Sequence, residues 1–173
     1  MEHLKYPIGK FEFGKAYSSP DNQKHISIIE KFPQELKTLV AQLSPGKLEK
    51  SYRPNGWTAR QIIHHIADSH MNAYIRTKWT LTEDAPIIKA YNQDLWANLE
   101  DSKCASPEVS LPLIEAIHQR WVYLLKTLTD ADLQKKYIHP EQNREFKLDE
   151  LLALYAWHGK QHYEHLNIIL KND

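Results

Sequence analysis

Ten histidines occur in this chain of 173 residues, and neutral imidazole is both the commonest metal ligand and the usual acid–base group near neutral pH. His158 and His162 stand four residues apart. On a helix both would project from one face, about 6 Å apart along the axis, where a divalent ion with bonds to nitrogen of about 2.0–2.1 Å can bridge them. His165 shares that face but lies about 10.5 Å along the axis from His158, so the three cannot be equal ligands of one ion. A third ligand has to come from a facing helix. His64, His65 and His70 are available on one other stretch. Helical phase puts His65 on the stripe of Ile62, Ile66 and Ser69, towards the core, and His64 near Arg60 and Asp68, towards an edge. His65 is therefore the expected partner and His70 the second choice. The competing reading makes these rings polar groups of a core, hydrogen-bonded to one another or to hydroxyls.

Two familiar metal sites fail against the letters. A zincin needs Glu directly after its first histidine, and Gly159 stands there. A ferritin-like di-iron bundle needs two Glu-x-x-His elements, and only Glu115-x-x-His118 is found. A mononuclear three-histidine site remains. It leaves a coordination position open, as a catalytic rather than structural metal requires. Such a centre can activate a water for hydrolysis or take a thiolate or carbonyl oxygen instead.

Four long amphipathic stretches would position these residues. Ile26, Ile29, Phe32, Leu36, Leu39, Val40 and Leu43 recur at steps of three and four from Asp21 to about Leu43. Pro33 inside this pattern predicts a kink or a break into two helices. Thr58 followed by Gln61 is a capping-box signature for a second helix, running to the Thr82–Pro86 stretch. Residues 87–105 form a crossover with a short helix around Asp94–Leu99. Ser106-Pro107-Glu108 marks the start of a third helix through Leu128, and a fourth runs from near Leu148 to Leu170. No period-two alternation is long enough to specify a strand. These features predict one all-α domain over residues 1–173: a four-helix bundle with a long crossover connection and short extra helices.

Composition narrows the function further. Lys+Arg and Asp+Glu number 22 each, so no basic excess exists to neutralise phosphates and nucleic acid is not an expected partner. The lone Cys104 excludes an intrachain disulfide and a four-cysteine zinc site. Five glycines leave little material for phosphate-cradling loops. With no signal-peptide-like run and no stretch near 18 apolar residues, a soluble cytoplasmic protein without membrane association is expected.

The segments Tyr6-Pro7-Ile8-Gly9, Gly56-Trp57-Thr58-Ala59-Arg60-Gln61 on through His64, His65 and His70 to Asn72, and Tyr155-Ala156-Trp157-His158 through His165 resemble the DinB-like superfamily, and within it the metal-dependent hydrolases of the YfiT type. The resemblance spans nearly the whole chain. It implies ligands at His65, eight residues after Trp57, and at the pair His158 and His162. It also implies a zinc or nickel ion, one per chain, in a four-helix bundle of unusual connectivity that forms homodimers. Relatives often carry further histidines where this chain has Lys160 and Gln161, positions that point away from the ligand face.

The leading expectation is a metal-dependent hydrolase acting on a small molecule. Asp68, Asn72 and Arg76 are candidates to orient substrate, His165 is a candidate proton shuttle, and Tyr74 and Trp157 are candidate pocket walls. One alternative is a metal-dependent S-transferase for a low-molecular-weight thiol of the bacillithiol type, with Arg60 and Arg76 as the charges for its carboxylates. A second is a dimeric bundle that binds metal without catalysis.

Overall fold

The computed structural model describes residues 2–172. Its four long helices are α2 (Ser19–Val40), α4 (Ala59–Thr82), α7 (Leu111–Leu125) and α9 (Leu148–Lys171), preceded by a one-turn α1 (Glu2–Lys5) and separated by the short α3 (Pro45–Leu48), α5 (Gln93–Ala97), α6 (Glu100–Cys104) and α8 (Asp130–Leu133). Helices α2 and α4 each pack on both α7 and α9, so α2 and α4 lie diagonally across the bundle. The segment between α4 and α7 is the expected long crossover, holding α5 and α6.

Helix starts follow local chemistry. Thr58 closes a capping box with Gln61 at the head of α4, and Ser18 closes one with Asp21 at the head of α2, each satisfying two orphan N–H groups. Ser106 behaves differently from the sequence expectation. Pro107–Val109 form one 3-10 turn, and α7 starts only at Leu111, with Ser110 at its cap. The fixed φ of Pro107 and of Pro112 suits the first turn of each piece, so two short starts replace one.

The expectation of no strand is also corrected. β1 (Lys136–His139) and β2 (Arg144–Lys147) form an antiparallel hairpin in which Tyr137 pairs with Phe146. Four-residue strands are too short to show a sequence period, but both aromatic rings are 1% exposed and stack at 5.4 Å. Their burial holds the hairpin against the bundle.

Pro33 does not break α2, which runs unbroken through it. A proline cannot donate to the carbonyl four residues back, so the oxygen of Ile29 is released from the helix ladder. It finds another donor, as described below.

Two apolar clusters fill the interior. One gathers Trp121, Tyr137, Phe146, Leu148 and Leu151; the other gathers Phe32, Leu36, Ile62, Ile63, Ile66 and Leu166. Burying each such side chain contributes roughly 1.5–3 kcal/mol. Between the clusters lies a layer of histidines, with Phe32 stacked on His70 at 5.5 Å from one side and Tyr155 edge-on to it at 5.2 Å from the other.

Gly159 lets α9 approach α2 at this level, since a Cβ there would stand 3.1 Å from the Phe32 ring. Alanine is the better helix former by about 0.5–1 kcal/mol. The ring, however, rests on His70 and His118 and has little room to yield, so overpacking costs about 1–3 kcal/mol. Gly159→Ala is therefore expected to destabilise the protein by about 1 kcal/mol in urea unfolding, although propensity alone predicts a gain.

Candidate metal centre

His65 on α4 and His158 and His162 on α9 converge, with one ligand-capable atom from each within 4.8 Å of the others. His65 is 3% exposed, and the other two are partly exposed. The Nε2 atoms of His65 and His158 stand 3.2 Å apart. Two nitrogens bound tetrahedrally at about 2.0–2.1 Å would be separated by about 3.3 Å, so this pair has the spacing of ligands around one ion. Burial, and after it the crowding of neighbouring imidazoles, holds all three rings well below the usual imidazole pKa. At neutral pH each ring therefore offers a lone pair rather than a positive charge.

Hydrogen bonds behind the three rings fix which nitrogen carries the lone pair. His118 Nδ1 lies 2.7 Å from the Ile29 carbonyl released by Pro33. A carbonyl only accepts, so His118 carries its proton on Nδ1 and accepts at Nε2. That Nε2 lies 2.7 Å from His70 Nδ1, which must donate. His70 Nε2 then accepts from His158 Nδ1 at 3.1 Å. The ring of His158 is left with its lone pair on Nε2, the atom facing His65.

A second relay serves His162. The Lys5 carbonyl lies 3.1 Å from His165 Nε2 and also accepts from Gln161 Nε2 at 2.7 Å. His165 Nδ1 consequently accepts from His162 Nδ1 at 3.3 Å, leaving the His162 lone pair on Nε2. A donor bond from the far nitrogen to a backbone carbonyl or second ring is how ligating histidines are oriented and made more basic.

The sequence-chosen trio is thus the one brought together. His70, the second choice, stands behind His158, and His64 bonds Ser110 Oγ at 2.7 Å and the Ala105 carbonyl at 3.0 Å. His165 is 3% exposed, stacked on Tyr52 at 4.0 Å, with its pKa lowered by burial to about 4. Arg60 is engaged by Glu49 at 2.6 Å and the Ala105 carbonyl at 2.7 Å, and Asn72 bonds the Asp68 carbonyl at 2.9 Å. Burial raises the Asp68 carboxyl to about 6. Tyr74 packs on the first apolar cluster, away from the trio. Sequence reasoning overlooked His118. The signal was Pro33 four residues after Ile29, which announces a free carbonyl but not its donor.

Two clefts open on the trio, both lined by Gln93 and His158. One, of about 420 Å³, has Lys5, Arg53, Trp57 and Trp157 around His162. The other, of about 390 Å³, has Arg76, Tyr91, His139 and Glu141. Trp157 is held by its indole N–H donating to the Gly9 carbonyl at 3.1 Å. The residues 2–14 segment is pinned to α9 by this bond and those at Lys5, and by the Gly14 amide donating to Glu150 at 2.6 Å. Among the described residues no helix is long and apolar enough to cross a membrane.

The sequence profile of the DinB superfamily matches residues 28–166. YfiT of Bacillus subtilis, provisionally named a metal-dependent hydrolase, is 42% identical over 164 residues, covering 95% of this chain and 92% of that protein. A similarly named protein of Bacillus mycoides is 45% identical over 166 residues, covering 96% and 95%. The solved YfiT structure, described as a probable metal-dependent hydrolase with an unusual four-helix bundle topology, superposes with a TM-score of 0.94 at 41% identity over 96% of this chain and 95% of that one. A mycothiol-dependent maleylpyruvate isomerase shares the fold at 15% identity and a TM-score of 0.67, over 84% of this chain and 60% of that one. The fold, the extent of these matches and the profile together make the chain a member of the DinB superfamily, of the YfiT type.

Proposed function

We propose that the protein is a metal-dependent hydrolase in which His65, His158 and His162 hold one zinc or nickel ion per chain. The observation that carries this reading is the convergence of three neutral imidazoles, two with their Nε2 atoms 3.2 Å apart. An ion held there would supply a Lewis acid and lower the pKa of a water or thiol at its open position. His70 and His165 hold the tautomers of His158 and His162, and the buried side of the trio excludes solvent from behind. Trp57, whose ring centre lies 4.6 Å from that of His65, and Trp157 form the apolar walls against which a small substrate would lie. Lys5 and Arg53 place positive charge at that cleft's rim.

Thiol transfer is the second reading, favoured by one observation: two clefts meet at His158, giving room beside the trio for both a thiol and an electrophile.

Elemental analysis of purified protein, never exposed to chelator or nickel resin, tests the common premise. About one zinc or nickel per chain is expected, together with turnover of esters or amides that stops on chelation and returns with metal. No metal as purified and no uptake of added zinc would make the trio a set of core histidines. Turnover only in the presence of a thiol would favour transfer over hydrolysis.

A further inference from the structure

The cleft lined by Arg76, Tyr91, His139 and Glu141 contains a buried positive charge with no ion-pair partner. Arg76 is 8% exposed. Its Nε has no hydrogen-bond partner, and its Nη2 reaches only the Lys89 carbonyl, at 3.4 Å. Among the described residues no carboxylate lies within ion-pair distance of it, Glu141 of the same cleft included. Burying an unpaired guanidinium costs several kcal/mol, and a planar fork of N–H donors matches a carboxylate. The other basic group here, His139, has a buried Nδ1 without a partner. Burial, and then the charge of Arg76, keeps its pKa below the usual imidazole value. The cleft therefore sets one guanidinium, Arg76, against one carboxylate, Glu141, that lies beyond ion-pair distance of it, and such a site takes a monoanion at the guanidinium more readily than a phosphate dianion.

We propose that Arg76 binds a carboxylate of the substrate at the end of the cleft remote from the trio. Arg76 follows His65 by eleven residues, about 16 Å along α4, and a long side chain on a helix leans back towards its N-terminus. The carboxylate would then sit on the order of 10 Å from the reacting atom, so the substrate class is an elongated monocarboxylate rather than a compact one. This assignment rests on the metal-centre reading only for where the reaction occurs; the anion site itself does not need the ion.

The test follows the side-chain Nε–H resonance of Arg76 in isotopically labelled protein, metal-free and zinc-loaded, during titration with hexanoate, hexanamide and inorganic phosphate. Hexanoate is expected to shift it saturably in both forms, hexanamide not at all, and phosphate about tenfold more weakly or less. Arg76→Met and Arg76→Lys lack that resonance and are titrated by calorimetry beside the wild type; Arg76→Met should weaken hexanoate by about tenfold or more, with Arg76→Lys in between. No saturable shift in the wild type, phosphate binding as tightly as hexanoate, or full hexanoate affinity in folded Arg76→Met would overturn the proposal. So would a wild-type signal moved by Glu141→Gln and by no anion, which would make Glu141 the counter-ion. Hexanoate binding at Arg76 in a protein that takes up no zinc would keep this site and discard the metal centre; zinc uptake without hexanoate binding would do the reverse.

Discussion

Stripped of metal, the bundle is expected to unfold in acid with a midpoint near pH 5. In the unfolded chain each histidine titrates near about 6.5. In the fold, burial holds His65, His70, His158 and His162 well below that value and brings His118 and His165 to about 4. Folded-state pKa values are lowered, so the unfolded chain alone takes up protons as pH drops below about 6.5, and the stability present above that pH is lost towards 4. Six such rings give a steepest slope of about 8 kcal/mol per pH unit, against a total of about 5–15 kcal/mol for a typical domain. Asp68, raised to about 6, works the other way, because its half-buried charge is relieved below that pH; one partly solvated carboxylate offsets a fraction of the loss. Circular dichroism between pH 8 and 4, with chelator and with saturating zinc, measures this. The zinc-loaded protein should hold its fold to lower pH, since metal and proton compete for the same lone pairs. A metal-free protein fully native at pH 4.5 would refute the protonation argument.

The second large effect is on metal content. His65→Ala, His158→Ala and His162→Ala should each reduce stoichiometry from about one to none, while His25→Ala should change neither metal nor fold. The metal-free His65→Ala and His158→Ala variants should differ in stability. His65 Nε2 meets only His158. Removing His158 strands His70 Nε2 as a buried acceptor, and an unsatisfied group of this kind costs about 1–3 kcal/mol, so His158→Ala should be the less stable metal-free protein. His70→Phe keeps the ring but leaves the Nδ1–H of His158 without its acceptor. Metal affinity should fall by about 10- to 100-fold, read by chelator competition, with the trio intact. Equal metal content in wild type and ligand variants would rule out the centre.

The sequence revealed the bundle and the trio because both are helical-period signals. His158 and His162 share a face by spacing alone, and His65 follows from the phase of Ile62 and Ile66. What it hid depends on contacts between distant segments. The Tyr137–Phe146 hairpin is stabilised by burial against other elements, which four-residue strands cannot announce. The split start of α7 turns on two prolines of similar local preference. The partners of His70 and His118 lie on α9 and α2, up to 89 positions away, where no local pattern reaches. Arg76 looked like Arg60 in composition; only burial separates the free guanidinium from the one already paired with Glu49.

The two relays end on very different ground. His158 is referred back to Ile29, a carbonyl deep in a long helix, whose exposure to solvent requires opening much of the molecule. His162 is referred back to Lys5, on a peripheral segment held by a few polar contacts and by Phe11 against Trp157 and Phe13 against Phe146, the kind of region that opens at smaller free-energy cost. The site is thus built as a rigid half and a yielding half. Amide hydrogen exchange of residues 2–14 becomes a gauge of how firmly the second half is set. Any change that loosens that segment would act through His165 on how His162 is held, without touching the trio or altering the bundle.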